Sequence, residues 1–104
     1  MIRSPSFPWN PPEALKEAIE IADKEFIEAA AKDPGPSCPY DRSGSCALIG
    51  LFVDDVLYIA NVGDSRAIIS QNQGQKRYAL TRDHKPCDPQ EQERITKAGG
   101  KIYQ

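Results

Sequence analysis

The side chain best placed for chemistry is Asp64, within the run Asn61-Val62-Gly63-Asp64-Ser65-Arg66. A strand-like pattern ends here. Glycine permits backbone conformations closed to other residues, so the carboxylate that follows can be aimed away from a sheet and into a cleft. A carboxylate so placed suits magnesium or manganese, which take oxygen ligands. It equally suits a turn, where it accepts hydrogen bonds from backbone amides. One carboxylate barely offsets the dehydration of an ion, so for this chain alone the turn is the simpler role. The other candidates are weaker. Ser65 has the chemistry of a nucleophile but no identifiable histidine partner nearby. Arg66 could bind phosphate, although an ion pair with a carboxylate is the simpler expectation. Asp54-Asp55 lies between two strand-like runs, where adjacent side chains face different ways, and a solvated hairpin turn is expected. His84, the sole histidine, would be the default general acid. Its setting, Asp83-His84-Lys85-Pro86 between a strand and a capped helix, suggests a loop brace whose imidazole bonds to nearby backbone, with Lys85 in solvent.

The elements that must position these residues follow from hydrophobic period and turn chemistry. Residues 46–53 are apolar almost throughout, Asp54-Asp55 supplies a turn, 56–62 returns as a second strand, and Ala67-Ile68-Ile69 resumes the pattern. After a turn at 71–75, a further strand is expected over 77–81, so that 44–81 forms an antiparallel unit. Cys46 is expected to pack as a small buried hydrophobe. Residues 1–12 read as a proline-rich extended arm, with Trp9 packed on the domain surface. Asn10-Pro11-Pro12-Glu13 has the chemistry of a helix start. Over 13–32, Leu15, Ala18, Ile19, Ala22, Phe26, Ala29 and Ala30 share one stripe, which predicts a helix covering a sheet. Asp33-Pro34-Gly35-Pro36 should end it. Asp88-Pro89-Gln90-Glu91 repeats the capping logic for a short helix over 88–98 that stops at Gly99-Gly100, and 101–103 could begin another strand.

With 104 residues, 39% of them hydrophobic, the chain is one domain or part of one. A formal net charge of -2 gives no reason to expect nucleic acid or an anionic membrane as partner. No apolar run reaches membrane-spanning length, and no secretion signal opens the chain. Three cysteines, Cys38, Cys46 and Cys87, make an odd count without a C-x-x-C pair. That argues against a disulfide framework or a zinc knuckle, and a reducing intracellular compartment, cytoplasmic or nuclear, is the expectation.

Gly44-Ser45-Cys46-Ala47, Gly63-Asp64-Ser65-Arg66, Asp83-His84-Lys85-Pro86, and Glu93-Arg94-Ile95 followed by Ala98-Gly99-Gly100 resemble, in order and spacing, landmarks of the type 2C metal-dependent protein phosphatases. The resemblance implies an α+β fold: part of a sandwich of two antiparallel sheets, here with an N-terminal helix and a short C-terminal helix. It implies hydrolysis of phosphoserine and phosphothreonine by water activated on Mn2+ or Mg2+, with a phosphoprotein as substrate. Under it Asp64 corresponds to an accessory metal position beside the main pair. The family's Asp-Gly-His-Gly motif, with its catalytic histidine, does not occur in these residues, nor do the later aspartates or the phosphate-binding arginine. An internal piece of a phosphatase, inactive alone and without catalytic residues of its own, is therefore expected, with a non-catalytic phosphatase-like scaffold or binding module as the alternative. Cys46 stands where the family commonly has threonine. Since one helix can shield only one face of strands such as 48–53, a second copy is expected to cover the other face or an open edge, as a homo-oligomer or swapped dimer.

Overall fold

The computed structural model describes residues 1–31 and 43–103. Its elements run α1 (Pro11–Ala31), β1 (Ala47–Val53), β2 (Val56–Val62), β3 (Ile68–Gln71), β4 (Lys76–Ala79) and α2 (Pro89–Lys97). The strands form two separate two-stranded sheets, β1–β2 and β3–β4. With antiparallel pairs and two helices, the arrangement is α+β. Asp54 and Asp55 join β1 to β2 with φ of 49° and 65°. Two successive left-handed residues match the natural twist of a tight hairpin, and both aspartates are exposed, as a solvated turn requires.

The chain divides into two compact units, the first comprising Met1–Ser45 with Gly50–Ala60. Here the expected extended arm is instead a run of turns over residues 2–9. Ser4 N donates to Met1 O at 3.0 Å and Phe7 N to Ser4 O at 3.1 Å. Two serine hydroxyls explain the folding back: Ser4 Oγ donates to Glu17 Oε2, and Ser6 Oγ to Glu17 Oε1 at 3.2 Å, tying the segment to the helix. Trp9 is 87% exposed rather than packed.

Helix α1 starts at Pro11, two residues before the expected boundary, behind Asn10, whose Oδ1 accepts from Glu13 N at 3.4 Å. Its apolar stripe is buried only where it begins. Pro11, Ala14 and Leu15 are buried, Leu15 to 2% exposure, whereas Phe26 is 42% and Ile27 58% exposed. The helix therefore does not act along its length as the cover the periodicity suggested; a stripe records which face can be buried, and neighbours decide how much of it is. The stop at residues 33–36, the loop over 37–42 and Cys38 lie outside the described residues.

The second unit comprises Cys46–Ile49 and Asn61–Gln104. In it β3 and β4 pair Ile68 with Ala79, Ile69 with Tyr78, Ser70 with Arg77 and Gln71 with Lys76. Asn72, Gln73 and Gly74, all at positive φ, make the connection. The strand expected over 77–81 ends at Ala79 because Thr81 supplies its side chain instead of its backbone: Ala67 N donates to Thr81 Oγ1 at 3.0 Å. Every residue of β3 and β4 is exposed, and in the first unit Phe52 of β1 is 73% exposed. Such exposure follows from the pairing, since a two-stranded ribbon has no layer of its own to pack against.

Asp88 caps α2 in extended geometry, its Oδ1 accepting from Gln90 N at 2.9 Å, with Pro89 in the first turn. Gly99 N donates to Thr96 O at 3.0 Å and Gly100 N to Ile95 O at 2.8 Å, closing the helix where the glycine pair predicted. Residues 101–103 form no strand.

Candidate functional site

The second unit brings two of the sequence motifs together: the turn after β2 and the loop before α2. Gly63 sits at φ 112°. A Cβ on it would lie 2.4 Å from Cys46 Sγ and 2.9 Å from Cys46 Cβ, so no other residue fits without displacing that side chain. Cys46 is exposed, contrary to the buried role expected of it. Its sulfur occupies the space that a side chain at Gly63 would need, and its thiol donates to Asp64 Oδ1 at 3.6 Å, within reach for the larger sulfur atom.

Two residues clamp Gly63 from the other motif and from β2. His84 N donates to Gly63 O at 2.9 Å, and Gly63 N in return donates to His84 Nδ1 at 3.3 Å. The sole histidine is thus a brace bonded to backbone. Asn61, at the end of β2, adds a staple: its Nδ2 donates to Gly63 O at 3.3 Å and to Arg82 O at 3.2 Å. Turning the amide over would set oxygen against two carbonyls, so its orientation is determined. Its Oδ1 is buried and has no hydrogen-bond partner among the described residues. Asn61 is the functional-site residue that motif reading passed over; an amide two residues before the turn glycine was its only signal.

The same loop is held by charge. Arg66 Nε donates to Asp83 Oδ1 at 2.8 Å and its Nη2 to Oδ2 at 2.9 Å, a bidentate pair that Lys85 approaches at 3.6 Å from Asp83 Oδ2. Arg66 is therefore committed to a carboxylate. Its hydrogen bond holds Asp83 below the usual aspartate range, and Asp83 raises Arg66 in turn. Arg82 grips Asp88 through Nε at 2.9 Å and Nη2 at 2.7 Å and also reaches Gln90 Oε1. Asp88 is lowered chiefly by the Gln90 amide it caps, and Glu91 by its bond from Arg94.

Asp64 itself is exposed. The cleft beside the turn is lined by Asn61, Val62, Gly63, His84, Lys85, Pro86 and three residues of α2, Glu91, Arg94 and Ile95. Gly44 and Ser45 belong to the first unit, lining a groove with Asp23, Phe26 and Ile27. Among the described residues no three His, Cys, Asp or Glu side chains gather where they could hold an ion. Beside Asp64 stands a thiol, which magnesium and manganese do not favour. These residues supply a single oxygen donor and do not fit a divalent-ion centre on their own.

The comparisons agree with the motif order. The family model described as Protein phosphatase 2C matches residues 3–104. The chain is 37% identical over 100 residues to "Probable protein phosphatase 2C 45" of Oryza sativa subsp. japonica, covering 96% of this chain and 32% of that protein. It is 39% identical over 101 residues to "Probable protein phosphatase 2C 69" of Arabidopsis thaliana, covering 96% of this chain and 26% of that protein. It is 38% identical over 92 residues to "Integrin-linked kinase-associated serine/threonine phosphatase 2C" of Homo sapiens, covering 85% of this chain and 22% of that protein. No solved structure gives a significant match. The chain belongs to the protein phosphatase 2C family, and it spans between about a fifth and a third of the length of these relatives.

Proposed function

We propose that the chain is part of a protein serine/threonine phosphatase that hydrolyses phosphoserine and phosphothreonine esters of protein substrates with the help of Mn2+ or Mg2+. The observation that carries this reading is the family match along residues 3–104, together with the exposed carboxylate that the Gly63 turn presents. Divalent ions bound elsewhere in such an enzyme would supply the activated water and neutralise charge on the phosphoryl group. The part of this chain is narrower. Asp64 offers one oxygen donor at an accessory position, Cys46 and Gly63 set where that oxygen stands, and Arg66 is paired to Asp83.

Phosphate release from a phosphoserine peptide by the full-length protein tests the reading. Mn2+-dependent release that EDTA abolishes is expected; no release, or release indifferent to EDTA, overturns it. Residues 1–104 alone should release none, because one carboxylate cannot replace a cage of several. In the full-length protein, Asp64→Asn should raise the Mn2+ concentration needed for half-maximal rate.

A further inference from the structure

We infer that His84 is the positioning residue of the Asp64 turn, acting through Nδ1 as a hydrogen-bond acceptor in the Nε2-protonated tautomer. The bracing expected of this histidine concerned its own loop; the geometry assigns it to the neighbouring motif. Its backbone amide bonds the Gly63 carbonyl at 2.9 Å while its ring accepts the Gly63 amide at 3.3 Å, so both polar groups of one glycine are held by one residue. Gly63 needs such a hold. It has no side chain to pack, it sits at φ 112°, and glycine regains more conformational freedom than any other residue when released. Asn61 supports only the carbonyl of Gly63, and Cys46 fills the space a side chain would occupy. The bond to the amide comes from the imidazole.

An acceptor is required at that point. A proton on Nδ1 would set two N–H groups face to face, so the ring hydrogen belongs on Nε2. Lys85 on the same loop and Glu91 and Arg94 on α2 line the cleft with the ring. The direction in which Asp64 leaves the turn is set one residue earlier, and there His84 decides it. The consequence for catalysis rests on the phosphatase reading; the brace itself does not.

Two substitutions separate an Nδ1 acceptor from general filling. Asparagine places its carbonyl oxygen near the position of Nδ1, whereas glutamine reaches toward that of Nε2. In the full-length protein, H84Q should speed hydrogen exchange of the Gly63 amide by about tenfold and H84N by no more than about twofold, the range expected for loss and retention of one such bond. With a phosphoserine peptide, H84Q should lower kcat about fivefold to tenfold with little change in KM, and H84N should restore it. The wild-type ring nitrogens, followed by 15N NMR, should show Nδ1 bare and Nε2 protonated, a readout that stands even where H84Q fails to fold. A protonated Nδ1, an unprotected Gly63 amide, or H84N behaving as H84Q overturns the inference. If the amide and ring signals are as expected while the wild-type protein has no phosphatase activity, the proposed function fails and the brace stands.

Discussion

The first turns of α1 and the turn at Gly63 show two different ways of holding a short segment in place. At Leu15 the means is burial, with Pro11 and Ala14 alongside, and it fades within a few turns until Phe26 and Ile27 stand in solvent. At Gly63 almost nothing is buried, yet bonds from His84 and Asn61 and the close approach of Cys46 specify the backbone. Apolar contact is non-directional and scales with area, so it sets how firmly a segment is held more than where each atom lies. Directional bonds do the reverse. The Asp64 carboxylate of this chain follows a turn held by the second kind of support.

Three perturbations sharpen that contrast, the largest first. Leu15→Ala should destabilise the first unit by about 3 kcal/mol in chemical denaturation, whereas Ile27→Ser should stay within about 0.5 kcal/mol. Equal losses at the two positions would show that the exposed half of α1 is covered in solution. Gly63→Ala should cost about 2 kcal/mol, since it meets both an unfavourable φ and the Cys46 side chain. Adding Cys46→Ala should recover only part of the loss, because Cys46 Cβ at 2.9 Å remains in the way. The smallest effect is that of acid. Asp83, Asp88 and Glu91 are all held below their ordinary values, chiefly by Arg66, by the Gln90 amide and by Arg94 respectively. Carboxylates depressed in this way add stability that is fully present above their unfolded values and fades as pH falls through the lower folded ones. Protection of the amides over residues 82–91, measured against the intrinsic exchange rate at each pH, should therefore fall below about pH 4, with salt blunting the change because these pairs face solvent. A flat profile through that range would break the claim that polar ties secure the loop.

What could be read from the sequence divides along the same line. The Asp54-Asp55 hairpin, the Asp88 cap and the Gly99-Gly100 stop were legible because each is local, a matter of residue type within a few positions. The four motifs located the family for the same reason. Burial was not legible: Cys46, Trp9 and the second half of the α1 stripe all have compositions that suit an interior, and their exposure depends on which neighbours are there. The serine bonds to Glu17 that turn residues 2–9 back, and the Asn61 staple, span from two to twenty-one positions with no periodic signature. His84 lay between the two cases. Its link to backbone was legible, but not that the backbone belonged to a motif 21 positions earlier.

At Asn61 the joint between the two motifs depends on the identity of one atom. The amide nitrogen is shared between Gly63 O and Arg82 O, and both bonds depend on its being nitrogen. Asn61→Asp would replace that donor with a carboxylate oxygen, turning two attractions into two repulsions at the joint between the motifs. Such a variant would lose the alignment of this corner while keeping its helices and strands, a local change to which circular dichroism is blind.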